Sequence, residues 1–175
     1  MSTAAWLLLL ATLAVVGLLL QNRAGRMDRL HLRLDAAKQA LEAQLLRRAT
    51  AALELAASNR LDPATTVVLA DAAQQAINAD EAARAAAESD LSQVLRAIFD
   101  DADVGSEVAG DPVGEELVRE LNRASERTLY AHRFHNDAVA AAQRLRRTRS
   151  VRWFRLAGHA PWPEPFEADT QPPAT

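Results

Sequence analysis

The chain has 175 residues, a net charge of −3 and no cysteine. The missing thiols exclude disulfides, cysteine nucleophiles and thiolate metal sites, and the near-balanced charge gives no global pull toward nucleic acid. Alanine dominates, Lys38 is the lone lysine beside many arginines, and aromatic residues are sparse, so the composition predicts an all-helical body.

Ala4–Leu20 is an unbroken apolar run of about 17 residues, roughly 25 Å of helix. It carries no charge, has Trp6 near its outer end, and is followed at once by Arg23, Arg26, Arg29 and Arg33. A cleaved secretory signal fits poorly. No basic residue precedes the run, and the exit Leu20-Gln21-Asn22-Arg23 lacks a small-x-small cleavage site. The run therefore predicts a retained transmembrane helix. The arginines predict a short external N-terminus and a cytoplasmic body by the positive-inside tendency. The expected division is 1–22 for the external N-terminus and membrane helix, 23–157 for a helical bundle, and 158–175 for a Pro-rich disordered tail.

Beyond the run nothing breaks a helix until Ser58-Asn59-Arg60. Leu30, Leu34, Ala37, Leu41, Leu45, Ala49, Ala52, Leu53 and Ala56 recur at steps of three and four and form its apolar face, with Arg29, Arg33, Lys38, Glu42, Arg47 and Arg48 largely off it. Asp62-Pro63 opens the next helix as a cap and a first-turn proline; Val67, Leu69, Ala72, Ala73, Ala76 and Ile77 make its apolar side. Asn78-Ala79-Asp80-Glu81 reads either as a turn with a fresh cap or as an uninterrupted helix. Ala83, Ala87, Leu91, Val94, Leu95, Ile98 and Phe99 carry the stripe onward.

Asp100–Gly114 is a glycine-rich acidic break, and Asp111-Pro112 again has the form of a cap and a first-turn proline. The last helix repeats Leu117, Leu121, Ala124, Thr128, Ala131, His135, Ala138, Ala142 and Leu145 over about four heptads. Leu129, Phe134 and Val139 widen that stripe, and the helix is expected to end near Arg149. Prolines from Pro161 onward forbid helix and predict a mobile extension. These amphipathic helices with short connections define an all-α fold, an antiparallel up-and-down four-helix bundle behind the membrane helix. Its alanine-rich stripes predict close helix approach and a thin core.

Several segments resemble the LemA family of bacterial membrane proteins. They are Asp35 followed by Gln44-Leu45-Leu46-Arg47-Arg48-Ala49; Glu88 with Leu91, Leu95 and Phe99; Arg127 and Ala131 with Arg133, Phe134, Asn136, Asp137, Ala138 and Val139; and Pro165-Phe166-Glu167-Ala168. The order matches along most of the chain. His135 stands where tyrosine is common, the family's Tyr-Pro segment is missing after Asp100, and an alanine-rich stretch replaces its Ile-Pro step after Arg48. The resemblance implies an anchored four-helix bundle and no assigned activity.

The chemistry-bearing residues are few. Arg133 and Asp137, four apart, can pair on a helix surface, and Asn136 is expected to cross-link helices through a buried polar contact. His132 and His135 lie three apart but lack the further donors zinc needs. No phosphate loop, nucleophile elbow or His-Glu-x-x-His stands in the chain, so no enzyme, metal, cofactor or small-molecule substrate is expected. A second basic cluster, Arg144, Arg146, Arg147, Arg149, Arg152 and Arg155 with Trp153, is expected beside Arg23 and Arg26 at the anionic inner leaflet, each basic side chain contributing about 1 kcal/mol.

The chain thus reads as a single-pass, non-enzymatic scaffold at the inner face of the membrane, partnered by lipid and by membrane proteins or itself. An accessory of a membrane protease or of a sensor in envelope-stress signalling is the alternative. Nucleic-acid binding through Arg144–Arg155 trails both.

Overall fold

The computed structural model describes residues 3–100, 110–148 and 161–173; of residues 4, 5, 16, 20, 23, 24, 26 and 27 it describes the backbone alone. The described residues hold four helices and no strand: α1 (Thr3–Ala57), α2 (Pro63–Asn78), α3 (Arg84–Asp100) and α4 (Pro112–Arg146). The chain divides into two compact units, Met1–Ala36 with Asp137–Glu164, and Ala37–Asn136 with Pro165–Thr175.

Each boundary has a local cause. Asn59 takes a left-handed backbone (φ 58°) just past the end of α1, a conformation asparagine tolerates better than most residues. Asp62 caps α2 by accepting the amides of Ala64 and Thr65 at 2.8 and 3.2 Å, with Pro63 in the first turn. The open question at 78–83 resolves as a break: Ala79 is extended, and Asp80 Oδ1 accepts the Ala83 amide at 2.8 Å. Asp111 caps α4 through the Gly114 amide at 2.8 Å and pairs with Arg60. In the same turn Glu115 reaches back to the Gly110 amide at 3.1 Å.

The larger unit is a helical bundle whose core draws on all four helices. Ala49, Ala52 and Leu55 from α1 meet Leu69, Ala73 and Ala76 from α2, Leu91, Leu95 and Ile98 from α3, and Leu121 and Ala124 from α4. Alanine and leucine share this core, as the stripes predict, and each alanine buries little area. Two apolar residues assigned inward by type face water instead: Val67 and Phe134 are 67% and 70% exposed.

In the smaller unit the first turns of α1 expose their apolar residues. Trp6, Leu7, Leu8, Leu9, Leu10, Leu13, Val15, Leu18 and Leu19 range from 45% to 73% exposed. Among the described residues no helix is long and apolar enough to cross a membrane; Ala4, Ala5, Val16 and Leu20, which complete the run, lie outside the described side chains.

The proline-rich segment expected to be a mobile extension is described at residues 161–173. They carry no helix, yet Thr170 is buried and main-chain and side-chain bonds fix the segment in both units. The prolines that forbid helix also restrict the unbound chain, so ordering the segment costs less backbone entropy.

Candidate functional site

The densest polar structure lies in the larger unit, where α3 and α4 hold residues 165–171. It begins with a residue the sequence reading placed largely off the stripe. Arg48 is fully buried, as is Glu88. Arg48 Nη2 donates to Glu88 Oε2 at 2.6 Å and to the Glu88 carbonyl at 3.1 Å, while Nη1 donates to Ser92 Oγ at 2.9 Å. Arg48 Nε and Glu88 Oε1 have no hydrogen-bond partner among the described residues. Burial raises the Glu88 carboxyl above its ordinary value, and the charge and hydrogen bond of Arg48 offset this only in part.

Ser92 passes this network to the carboxyl-terminal segment. Its Oγ lies 2.6 Å from the Asp169 carbonyl, to which it donates, with the Glu88 carbonyl at 2.9 Å as the alternative acceptor. One turn back, Ser89 Oγ accepts the Asp169 amide at 3.0 Å. Arg96 Nη2 meets Asp169 Oδ2 at 2.5 Å and Nη1 reaches the Gln171 carbonyl at 3.5 Å. A single α3 face, Ser89-Ser92-Arg96, therefore reads both the main chain and the side chain of Asp169.

The α4 side is held by His132 and Asn136. Asn136 Oδ1 accepts the Phe166 amide at 2.9 Å and Nδ2 donates to the Phe166 carbonyl at 3.2 Å, the pairing a neighbouring strand would make. His132 Nε2 lies 2.7 Å from the same carbonyl and Nδ1 lies 2.8 Å from Thr170 Oγ1. With the proton on Nε2 and the threonine hydroxyl donating to Nδ1, both contacts are satisfied, and Asn136 Nδ2, 2.9 Å from the same Nε2, then donates to the Phe166 carbonyl and not to the ring. The imidazole also meets the Phe166 ring edge-on, centroids 5.8 Å apart. Asn136 was expected to join helices; its partner is instead the extended segment, because the side-chain amide matches a backbone amide that has no ladder of its own.

The remaining expected site residues separate. Arg146 is corrected: it is buried, donates to the Pro161 carbonyl at 2.5 Å and lies 3.3 Å from His31 Nε2, so its guanidinium is committed inside the smaller unit rather than displayed to headgroups. Arg147 and Arg144 are exposed, and the guanidinium of Arg147 lies 5.8 Å from the Trp162 ring. Trp162, 47% exposed, supplies the aromatic the reading sought in Trp153. Arg149, Arg152, Trp153 and Arg155 lie outside the described residues, as do the side chains of Arg23 and Arg26. Arg133 and Asp137 are exposed, and no ion pair joins them among the described residues. Nor, among those residues, does any group of three or more histidine and carboxylate side chains stand ready to hold a metal.

Arg48 and Glu88 were within reach of the sequence. Arg48 stands three after Leu45 and four before Ala52, and Glu88 three before Leu91. Both are polar residues in phase with an apolar stripe, and one on each of two helices is the signal of a buried pair.

Asp169 titrates with a definite sign. Burial raises its carboxyl, but the Arg96 and Gln171 hydrogen bonds and the charges of Arg96 and Arg48 outweigh that and hold it below the ordinary 3.8. A lowered folded value contributes stability that is present above 3.8 and lost as pH falls through the folded value. The Asn136 side-chain amide resonances should therefore keep their docked positions down to that range and move toward free-amide positions below it. Movement complete above pH 4.5 would contradict the assignment.

The class of protein this defines is an all-helical bundle that holds an extended segment of its own chain. Comparison with protein-family models, curated proteins and solved structures finds no match.

Proposed function

We propose that the chain is a single-pass, membrane-anchored interaction module, a non-enzymatic scaffold whose bundle lies at the inner face of the membrane. The observation that carries this reading is the charge-free run Ala4–Leu20 followed by Arg23, Arg26, Arg29 and Arg33. Apolar side chains such as Leu7, Leu8, Leu13 and Leu18 are more than half exposed, and a contiguous surface of this kind is stabilised by lipid or by a partner. The charge step at Arg23 supports the cytoplasmic placement of the bundle. The LemA-like order of motifs supports the same architecture.

The exposed Arg144, Arg147 and Trp162 support a peripheral contact with anionic headgroups, where arginine and an indole are both favoured. That contact is narrower than the full Arg144–Arg155 cluster, since Arg146 is buried.

Alkaline carbonate extraction of membranes tests the anchor. The full chain should stay in the pellet, as a spanning helix does. Its release into the supernatant would remove the reading.

A further inference from the structure

We propose that the α3–α4 face of the bundle is a receptor for an extended acidic peptide, occupied here by residues 165–171 as a tethered occupant that a partner's segment of the same chemistry displaces. This deepens the interaction-module reading and rests on it, but it does not depend on the anchor.

Recognition is directed first at main chain. Asn136 takes both the amide and the carbonyl of Phe166, Ser89 takes the amide of Asp169, and Ser92 meets its carbonyl. Such contacts accept any backbone in an extended conformation, as strand-addition sites do. Selectivity comes from Arg96 on the Asp169 carboxylate and His132 on the Thr170 hydroxyl and the Phe166 ring. A fitting occupant therefore carries an aromatic residue and, three positions on, a carboxylate followed by a hydroxyl.

The receptor side chains belong to helices that have a core of their own, with Leu91, Leu95, Leu121 and Ala124 in it. The occupant has neither helix nor ladder of its own, and Pro165, Glu167 and Gln171 remain exposed. Arg96–Asp169 is a charged pair at the rim, with both side chains part-exposed, the kind of contact that specifies an occupant and still lets it leave.

The test uses the full chain in detergent and a fluorescein-labelled peptide of sequence Pro165–Pro173. Wild type is occupied in cis, and the tether gives its own segment a large effective concentration. Asp169→Ala or the near-isosteric Asp169→Asn weakens the occupant and leaves the receptor intact. Either variant should bind the peptide at least roughly tenfold more tightly than wild type, a tenfold change being worth about 1.4 kcal/mol. Adding Asn136→Ala or Arg96→Ala should abolish that gain. A peptide with its own aspartate changed to asparagine should bind several-fold more weakly. Absence of saturable binding to helical Asp169→Asn protein, or binding indifferent to Asn136 and Arg96, would overturn the proposal. Neither result bears on whether the chain resists carbonate extraction, so the two readings fail separately.

Discussion

Glu88→Ala should destabilise the bundle by about 3–5 kcal/mol, the cost of leaving one partner of a buried ion pair uncompensated. For a domain of this size that is roughly 10–15 °C in Tm. The reason lies in the geometry. Arg48 is fully buried, and Glu88 Oε2, at 2.6 Å, is the carboxylate in direct ion-pair contact with its fixed positive charge among the described residues. Arginine stays protonated at any working pH, so the change strands a cation in an alanine-lined interior.

The pair itself is expected to be a poor stabiliser, since Arg48 Nε and Glu88 Oε1 have no hydrogen-bond partner among the described residues. Replacing both members by methionine should therefore restore most of the loss, because apolar residues of similar volume avoid the desolvation cost. A double variant as unstable as Glu88→Ala would show the pair to be a net stabiliser. The pH dependence has the opposite sign to that of Asp169. Burial raises the folded Glu88 value above 4.5 despite Arg48, so stability linked to this carboxyl falls as pH rises from 4.5 to the folded value. Glu88→Gln should flatten the wild-type slope in that window in chemical denaturation.

The second large effect concerns the apolar run. Leu10→Arg with Leu13→Arg places two charges near its centre. Each costs about 2.5–3.5 kcal/mol of insertion free energy, roughly 5–7 kcal/mol together. The double variant should leave the carbonate-resistant pellet almost completely. Leu46→Arg, at another exposed leucine on α1 but within the bundle, should stay in the pellet like wild type. Equal retention of all three proteins would mean that the run does not hold the chain to lipid.

Much of the fold is legible because helices announce themselves by local rules. The caps Asp62 and Asp111 and the stripe through Leu91, Leu95 and Ile98 are satisfied within a few residues of chain, and the structure places each as read. What escaped is what depends on distant partners. Apolarity alone turns Phe134 and Val67 inward, although burial is decided by the helix phase and by what stands opposite. Charge alone turns Arg48 outward, although its phase is that of the core. The proline-rich segment has no period at all, and side chains of α3 and α4 hold its course. The sequence did carry half of that site: Asn136 and the Phe166-Glu167 segment were both singled out, thirty residues apart, with nothing local to show that one grips the other.

The account rests on the placement of the bundle, and protease access tests it most directly. In intact cells, protease added outside should leave residues 27–175 uncut, and the same protease should digest them once the membrane is opened. Digestion of the bundle in intact cells would contradict the proposed orientation and, with it, the inner-leaflet role of the arginines.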